Sequence, residues 1–416
     1  MAVHRIKYWD IMSLVLLFNI GAFSLLTLSR QPLDTNAALL GGIITLIFLF
    51  QYMLFTIFFK RTDKLILVLI SFLSSIGFIA IYILDTSLLV KQIEWYLIGF
   101  VISIAAIIFL KYALKYIYKF KYLYMAATIG LLLFTLIFGQ EIGGARNWIT
   151  IGGHSFQPSE FGKIMLIFAL ASLFSEGKDL KHIIIGGAFT GICLIFLVLQ
   201  RDLGAAMLYF LIYVILMFIS TSNLYMTLAA LGAGGLGAFA SYHLFGHVKV
   251  RILAWRNPWA DITGGGYQIA QSLFAIAGGS WVGVGLRNGR PKDIPVPTSD
   301  FIFSVISEQF GLIIAVIIII IFFIIILRGI SIALRATEEF YSLVVIGTVS
   351  MIALQAFINI GGVTKFIPLT GITLPFISYG GSSMVVKFMM FGILQAIYMV
   401  NEKRDSELRQ YRLEGR

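Results

Sequence analysis

Long apolar runs recur along the chain, and short polar or charged stretches separate them. A bilayer core about 30 Å thick requires about 20 mostly apolar residues for each spanning helix, and the runs have about this length. The pattern predicts twelve transmembrane helices, near residues 9–28, 38–59, 65–84, 95–110, 122–139, 160–174, 182–199, 203–220, 224–245, 301–327, 340–361 and 374–400.

Basic residues cluster in alternate connections between these runs. An even number of spans places both termini on one side, and the positive-inside rule makes that side cytoplasmic. The opposite face, called here the predicted outer face, then receives residues 140–159 and a long segment at residues 243–300. The clusters that set this orientation are Lys60/Arg61/Lys64, Lys111/Lys115/Lys119/Lys121, Lys178/Lys181, Arg328/Arg335 and the tail residues Lys403, Arg404, Arg409, Arg412 and Arg416.

Composition agrees with this arrangement, since 59% of the 416 residues are apolar and 12% are charged. Soluble domains usually contain about 25% charged residues.

The net charge of +11 does not indicate a nucleic-acid partner, because the basic residues lie in short clusters between apolar runs. The single cysteine, Cys193, lies inside an apolar run, so no disulfide framework or thiolate metal site is expected. The first run, from Trp9, lacks a small-residue cleavage site and predicts a retained anchor rather than a removed signal peptide.

The segment at residues 243–300 is unusual for a predicted outer connection. It is rich in glycine, has tryptophans at positions suited to the membrane interface, and carries a basic excess that the positive-inside rule does not explain. Long ordered loops are usually functional, although a linker lying on the membrane surface is the alternative. The basic residues are Lys249, Arg251, Arg256, Arg287, Arg290 and Lys292.

Two stretches join the first outer connection to the next helix: G-A-R-N-W-I at residues 144–149 and Q-P-S-E-F-G-K at residues 157–163. Pro158 and Ser159 favour a helix start. Glu160 and Lys163 are three positions apart, so they share a helical face and can pair within the bilayer, where an isolated charge is costly. Such a pair indicates either a polar cavity or a clamp that only holds the helices together.

Two further stretches place carboxylates next to helix ends. In Q-R-D-L-G, residues 200–204, Arg201 and Asp202 interrupt two apolar runs and are either functional or structural. In P-T-S-D-F-I-F-S-V-I-S-E-Q-F-G, residues 297–311, Asp300 falls at the expected N-cap of a long helix, with Glu308 about two turns further along. Asp300 can be a cap, or it can accept a proton from an attacking hydroxyl group.

The last stretch, at residues 359–383, contains prolines, glycines and hydroxyl side chains within an otherwise apolar region. Irregular backbone at membrane depth is tolerated only where it is buried in protein or lines a cavity, so Ser378, Gly380, Gly381 and Ser382 are candidates for a cavity wall. Close helix packing through small residues is the alternative interpretation.

In this order, the four motifs resemble those of the SEDS family, the RodA/FtsW/SpoVE group, and P-L-T-G-I-T-L-P-F-I-S-Y-G-G-S-S is nearly a family signature. The resemblance covers about residues 65–400. It implies a ten-span glycosyltransferase that joins lipid II disaccharides, releases undecaprenyl pyrophosphate and works with a class B penicillin-binding protein. Asp300 matches the family's essential aspartate.

The chain departs from the family pattern at several places. Residues 1–60 precede the family core as an additional helical hairpin that contains none of the motifs, so we expect it to be dispensable for the chemistry. Asn147 stands where the family usually has a basic residue, Arg201 replaces the proline of Q-P-D-L-G, and Gln309 replaces the second glutamate of an E-E pair.

Sequence and resemblance together predict an all-α polytopic membrane protein with about twelve transmembrane helices. The additional N-terminal hairpin at residues 1–60 precedes a SEDS-like ten-helix core at residues 61–400, and a basic cytoplasmic tail follows at residues 401–416. The core includes the outer loop at residues 243–300. The expected location is the bacterial plasma membrane, with the active site on the extracellular face.

The expected reaction is an inverting transfer, in which Asp300 accepts a proton as the acceptor's 4-hydroxyl attacks the donor's anomeric carbon. The basic residues of the outer segment, with Arg146, would neutralise the charge of the departing pyrophosphate, and a divalent cation such as Mg²⁺ or Mn²⁺ could share that work. The partners are lipid II, the growing glycan strand, the bilayer and a class B penicillin-binding protein. The candidate substrate-binding residues are Arg146, Trp148, Glu160, Lys163, Arg201, Asp202, Arg251, Arg287, Lys292, Glu308, Lys365, Ser378 and Ser382.

Two other functions are open on the sequence. A lipid II flippase would use Glu160, Lys163, Arg201, Asp202 and Lys387 to escort the headgroup across the membrane. A scaffold without catalysis would hold the partner penicillin-binding protein. A flippase needs charges spread through the membrane depth, whereas an enzyme needs them concentrated around one site. The long basic outer segment favours the enzyme.

Overall fold

The computed structural model describes residues 7–142, 144–151 and 154–414, with backbone alone at Ile151, His154, Arg412 and Leu413. Arg416, one of the basic tail residues that set the predicted orientation, lies outside the described residues. The described part contains these α-helices: α1 Tyr8–Leu28, α2 Thr35–Ile57, α3 Lys64–Leu84, α4 Thr86–Ile117, α5 Lys121–Phe138, α6 Pro158–Glu176, α7 Leu180–Leu199, α8 Leu203–Thr221, α9 Leu224–Leu244, α10 Gly246–Arg256, α11 Tyr267–Gly279, α12 Ile302–Leu334, α13 Glu339–Val363 and α14 Gly381–Glu414.

Eleven helical stretches of the described residues are long and apolar enough to cross a membrane, and one of them, Thr86–Phe138, contains both α4 and α5. The remaining helices, α10 and α11, lie in the segment at residues 243–300. The predicted polytopic helical fold is therefore confirmed.

A small antiparallel sheet, which the sequence analysis did not predict, occupies the connection between α5 and α6. Its strands are β1 Gln140–Ile142, β2 Ala145–Ile151 and β3 His154–Phe156, in the order β1-β2-β3. Burial alternates along this strand, since Asn147 and Ile149 are buried while Arg146 and Thr150 are exposed, as expected for a half-buried strand. The sheet lies beside the start of α6, where Pro158 occupies a first-turn position and needs no backbone N–H partner.

The first two helices form a hairpin that packs on α3. Asn19, which is fully buried in α1, donates to the carbonyl of Gly41 at 3.2 Å and to Thr45 at 2.9 Å, and it accepts from Ser75 of α3 at 2.9 Å. Apolar side chains such as Phe48 of α2 and Phe78 of α3 stack beside this network. The hairpin is thus joined to the rest of the bundle by both apolar contacts and buried hydrogen bonds.

The long helix α12 is interrupted at Gly311, where the backbone adopts φ 81° and ψ 177°. This φ lies in the region that favours glycine. A Cβ at this position would collide with the backbone N of Gly283 and the carbonyl of Trp281. The residues that follow the break bond to a neighbouring turn instead, because Leu312 N donates to Ser280 O at 2.9 Å and Ile313 N to Trp281 O at 3.2 Å.

The end of the chain differs from the predicted boundaries. The last span was predicted from residue 374, but α14 begins at Gly381, and residues 364–380 form an irregular connection. Pro375 and the positive φ of Phe376, 63°, explain why apolar residues there do not continue a helix. At the other end α14 continues to Glu414, so the described part of the predicted tail is helical.

Candidate active site

A cavity of about 640 Å³ opens at the helix ends that form the predicted outer face. It is lined by the first turns of α4, the small sheet, the α7–α8 turn, α10, the residues before α12 and the irregular connection before α14. Its polar and charged lining includes Lys91, Glu94, Asn147, Ser155, Gln157, Arg201, Asp202, Arg251, Thr298, Ser299, Asp300, Thr370, Thr373, Tyr379 and Ser383.

Asp300 lies on the cavity wall just before α12. Burial raises the pKa of its carboxyl group, while a hydrogen bond from Ser299 and the charge of Arg251 lower it in part. The residue is held through its backbone, since Asn359 donates to the carbonyl of Asp300 at 2.8 Å and to that of Ile372 at 2.6 Å. A carboxylate with a raised pKa beside an open cavity is suited to accept a proton.

The N-cap interpretation of Asp300 is wrong. The N-cap of α12 is Phe301, and this helix end receives no side-chain cap hydrogen bond. Asp300 therefore faces the cavity without the structural task that the sequence pattern allowed. Glu308, the other carboxylate of this motif, instead accepts from the backbone N of Arg290 at 2.9 Å and does not line the cavity.

Two arginines supply positive charge at the cavity. Arg251 of α10 donates to the carbonyl of Thr370 at 3.3 Å, which joins α10 to the irregular connection. Arg201 has a positive φ of 61° and lies 3.4 Å from Glu141 in an exposed ion pair. Both arginines also line a second, adjoining cavity of about 480 Å³.

The second cavity is small and basic. Besides the two arginines, its lining consists of Gly144, Gly246 and His247. The Nε2 atom of His247 is buried and has no hydrogen-bond partner among the described residues. Burial and the positive charges of Arg251 and Arg201 lower the pKa of His247. These groups together form a site whose electrostatics favour an anion.

Asp202 supports the cavity wall through several hydrogen bonds. It caps α8 by accepting from the backbone N of Ala205 at 3.0 Å. Its other oxygen accepts from the side chains of Asn147 and Gln157, both at 2.9 Å. The carboxylate thus connects the small sheet, the start of α6 and α8. Asn147, a departure from the family pattern, provides one of these bonds.

Glu160 of α6 forms a buried ionic cluster below the cavity. Its Oε1 pairs with Lys163, and its Oε2 lies 3.2 Å from the ammonium group of Lys387 in α14. All three side chains are buried. Lys387 also donates to Ser383 at 3.3 Å, and Ser383 lines the cavity. The cluster is next to the cavity without being part of its lining.

Other predicted site residues do not line the cavity in the described structure. Arg146 donates to the carbonyls of Gly139 at 2.8 Å and Ile137 at 3.1 Å. Arg287 points to the N-terminal hairpin and pairs with Asp34 at 2.6 Å. Lys292 lies in a short 3-10 turn and is exposed.

The predicted residues of the last motif organise the backbone around the cavity. Ser378 donates to Ser299 O at 2.6 Å and accepts from Leu374 N at 2.8 Å. Ser382 accepts from Gln157 N at 3.0 Å. Lys365 has a positive φ of 61°, and its carbonyl accepts from the Trp255 ring at 3.1 Å. Of the remaining candidates, Trp148 does line the cavity.

Sequence reasoning missed several lining residues. Lys91, Glu94 and Trp95 lie on the first turns of α4 and reach the cavity only after α4 packs against α14. The spacing of Lys91 and Glu94 places them on one helical face, which is a weak signal by itself. His247 carried no motif that pointed to a site, and Tyr379 lies within the closing motif but was not singled out.

The cavity does not provide a metal centre of its own. The described residues contain no group of three His, Cys, Asp or Glu side chains arranged to hold an ion. Mg²⁺ and Mn²⁺ favour several oxygen ligands, so a bound cation would need ligands from the substrate. The expected cation stays a prediction, and no chemical step below depends on it.

Known proteins share this architecture. The chain is 32% identical to peptidoglycan glycosyltransferase RodA of Mycobacterium tuberculosis over 374 residues, which cover 82% of this chain and 78% of that protein. It is 38% identical to stage V sporulation protein E of Bacillus subtilis over 264 residues, covering 62% of this chain and 72% of that protein.

Solved structures agree in fold. RodA of Thermus thermophilus superposes with a TM-score of 0.62 at 24% identity, covering 81% of this chain and 96% of that one. A chain of a peptidoglycan synthase complex gives a TM-score of 0.71 at 24% identity, covering 82% and 98%. The family model for FtsW/RodA/SpoVE cell cycle proteins matches residues 53–403. The chain belongs to this family.

Proposed function

We propose that this protein is a peptidoglycan glycosyltransferase, which polymerises lipid II and releases undecaprenyl pyrophosphate. The observation that carries the proposal is the placement of Asp300, a carboxyl group with a raised pKa, beside Arg251 in a cavity at the ends of apolar helices. The name of the relative from Mycobacterium tuberculosis, peptidoglycan glycosyltransferase RodA, supports the same activity. A lipid-linked sugar has an apolar tail and a charged headgroup, and this surface presents an apolar region next to a basic cavity.

The reaction at this site is a single displacement with inversion. The 4-hydroxyl oxygen of the acceptor sugar attacks the anomeric carbon of the donor. The bond between that carbon and the pyrophosphate oxygen breaks, and its electron pair leaves with the pyrophosphate. Asp300 accepts the proton of the attacking hydroxyl group. The base thus removes positive charge from the new glycosidic oxygen while negative charge grows on the leaving group.

The leaving pyrophosphate is stabilised by Arg201 and Arg251, with His247 beside them. Guanidinium groups bind phosphate oxygens through two parallel hydrogen bonds, and fixed positive charges are most effective where negative charge develops. Arg201 and Arg251 line both cavities, so an anion in the smaller one lies next to the carboxylate that serves the larger one. This assignment replaces Arg146, whose guanidinium binds backbone carbonyls.

The flippase alternative receives less support from the buried charges. Glu160 is bonded to both Lys163 and Lys387, so the carboxylate and both ammonium groups are already paired with one another within the bundle. Transfer of a headgroup through this region would require these pairs to open, with a loss of several kcal/mol in a low-dielectric interior. Charge at the cavity mouth requires no such opening.

The orientation and the partner form the finer part of the proposal. Both termini are cytoplasmic, the cavity is extracellular, and a class B penicillin-binding protein crosslinks the product. The alternate basic clusters support the orientation. A likeness to a chain of a peptidoglycan synthase complex supports the partner. In a background without Cys193, cysteines at Asn257 and Asn288 are expected to react with an impermeant maleimide from outside, and cysteines at the termini are not.

The test of the activity is polymerisation of lipid II by the purified chain in lipid nanodiscs, with and without a candidate transpeptidase. Wild-type protein should form glycan strands, and Asp300→Ala should not. Asp293→Asn is the matched control, because Asp293 is an exposed aspartate of the same outer segment. Failure of the wild type under both conditions would favour the scaffold. Transfer of lipid II across vesicle membranes without polymerisation would favour the flippase.

A further inference from the structure

Arg287 connects the outer segment to the N-terminal hairpin. Its guanidinium group donates to Asp34 Oδ2 at 2.6 Å, to the carbonyl of Leu26 at 3.1 Å and to Ser29 at 3.0 Å. These acceptors lie at the end of α1 and in the turn before α2. One side chain of the outer segment thus binds both sides of the hairpin turn.

A tyrosine of the family core completes this contact. The ring of Tyr82 in α3 lies 5.2 Å from the guanidinium carbon of Arg287, and its hydroxyl donates to Asp34 at 2.8 Å. The ion pair is largely removed from solvent, since the side chains of Arg287 and Asp34 are 15% and 9% exposed. Burial alone would raise the pKa of Asp34, but the bonds from Arg287 and Tyr82 outweigh it and lower the pKa. The carboxylate is therefore bound in its charged form.

The backbone around Arg287 is bonded to α12. This stretch, residues 283–290, is called here the clasp. Arg287 N donates to the side chain of Gln309 at 2.7 Å, and Gly285 N to the carbonyl of Gln309 at 3.2 Å. Val284 N donates to the carbonyl of Glu308 at 2.9 Å. The backbone N of Arg290 also donates to the side chain of Glu308. The clasp thus donates hydrogen bonds to the carbonyls and side chains of Glu308 and Gln309, which end the part of α12 that precedes the break at Gly311.

The first part of α12 carries Asp300 at its other end. Residues 302–309 are all buried, and Asp300 and Phe301 precede the helix directly. The break at Gly311 separates this part from the rest of α12. The residues beyond the break bond to the turn at Ser280 and Trp281, whereas the clasp bonds Glu308 and Gln309, the last residues before the break. The clasp is therefore one of the contacts that set the direction of the first part.

We propose that Arg287 is a positioning residue, which holds the first part of α12, and with it Asp300, against the N-terminal hairpin through its ion pair with Asp34. The added hairpin then takes part in the reaction indirectly, in contrast to the expectation that it is dispensable for the chemistry. This inference rests on the proposed role of Asp300 as the base. Glutamine at position 309, where the family usually has glutamate, suits this arrangement, since its oxygen accepts the backbone N–H of Arg287 while its amide nitrogen donates to Glu308 at 3.4 Å.

The ion pair can be weakened without detaching the hairpin. Asn19 binds α3 through Ser75, and Gln51 of α2 accepts from Tyr96 of α4 at 2.7 Å, both far from the clasp. An Asp34→Asn substitution keeps the size of the side chain and removes its charge. Arg287→Lys keeps the charge and removes the forked geometry that reaches several acceptors at once.

A displacement of Asp300 can be distinguished from a general loss of stability, because a displacement changes the pKa of Asp300. Burial raises the pKa of Asp300, so a looser first part of α12 would admit water and bring that pKa closer to its ordinary value. Arg251 is the charged group that directly influences Asp300, and the cavity also presents Lys91, Glu94, Arg201 and Asp202. Neither Asp34→Asn nor Arg287→Lys alters any of these side chains.

The experiment compares lipid II polymerisation by wild type, Asp34→Asn and Arg287→Lys as a function of pH. We expect kcat to fall on the order of 10- to 100-fold, as for a misplacement of about 1 Å, with a smaller change in KM. The acid limb of the pH profile should move to lower pH. Arg30→Lys and Asp293→Asn, at exposed positions, should match wild type. An unchanged kcat, or a lower kcat with an unmoved acid limb and reduced thermal stability, would contradict the positioning role.

A second measurement does not depend on activity. In a Cys193→Ser background, a cysteine at position 300 reports access to the cavity wall through its labelling rate with an impermeant maleimide. Asp34→Asn should increase this rate several-fold, while Asp293→Asn should leave it unchanged. Equal rates in all three backgrounds would overturn the positioning inference and leave the proposed function intact. If instead wild-type protein fails to polymerise lipid II while Asp34→Asn still changes the labelling rate, the proposed function fails and the coupling stands.

Discussion

Asp300 and Glu160 are two carboxylates of the same helical bundle that occupy opposite electrostatic settings. Glu160 is enclosed between two lysines and bonded to both. Asp300 forms no ion pair within the described residues, faces an open cavity, and has a pKa that burial raises. A satisfied charge holds elements together, whereas a carboxylate with a raised pKa and free access can exchange a proton. The comparison therefore assigns a structural role to Glu160 and is consistent with the proposed catalytic role of Asp300.

The largest expected effect comes from Asp300→Asn, which removes the base but keeps the shape of the side chain. A general base contributes about 10²- to 10⁴-fold to a rate, so kcat for lipid II polymerisation should fall by at least this factor. Thermal stability should stay close to that of wild type, because Asp300 is not the N-cap of α12. Activity and melting temperature measured on the same preparation test both statements. A stable Asp300→Asn protein with wild-type activity would end the catalytic assignment.

The opposite result is expected for the Glu160 cluster. Glu160→Gln leaves Lys163 and Lys387 without their shared carboxylate, and breaking such a buried pair costs about 3 to 5 kcal/mol. Lys163→Met should cost less, because Glu160 keeps its bond to Lys387. Thermal unfolding in detergent gives the order of the two losses. Greater destabilisation by Lys163→Met, or normal stability with lost polymerisation in that variant, would indicate that Lys163 contacts the substrate.

The pH dependence sharpens the comparison further. With Asp300 as the proposed base, the rate of polymerisation should decline as the pH falls through the raised pKa of Asp300, which lies above the ordinary value of 3.8. Arg251 lowers this pKa, and its removal in Arg251→Met should therefore move the acid limb to higher pH. The measurement is kcat/KM against pH. A shift to lower pH in Arg251→Met would show that another group governs the limb.

The helices could be predicted from the sequence because length and apolar composition suffice to define a span in a bilayer. The boundaries of α14 and the break at Gly311 could not, since both depend on contacts with distant residues. In the site, Asp300 and Arg251 were found because they lie in a recognisable motif and in a basic excess. Arg287 belongs to the same basic excess, but it pairs with Asp34 of the hairpin instead of lining the cavity. This difference depends on tertiary packing, which no local sequence pattern encodes.

His247 gives the smallest expected effect and tests whether the smaller cavity binds an anion. Its pKa is lowered by burial and by Arg251 and Arg201, so the ring is largely neutral at pH 7 when the cavity holds no anion. A bound pyrophosphate reverses the local charge and raises that pKa, so binding takes up a proton and strengthens as the pH falls.

The probe for this effect is farnesyl pyrophosphate, used as an inhibitor of lipid II polymerisation between pH 6 and pH 8. Its inhibition constant should decrease several-fold toward pH 6 in wild type, and His247→Gln should remove most of this dependence while changing kcat little. The phosphate groups have a titration of their own, but it is the same for both proteins and cancels in the comparison. Farnesol, which lacks the anion, is the control for the apolar tail. Equal pH dependence in wild type and His247→Gln would remove His247 from the pyrophosphate site and leave Arg201 and Arg251 as its cations.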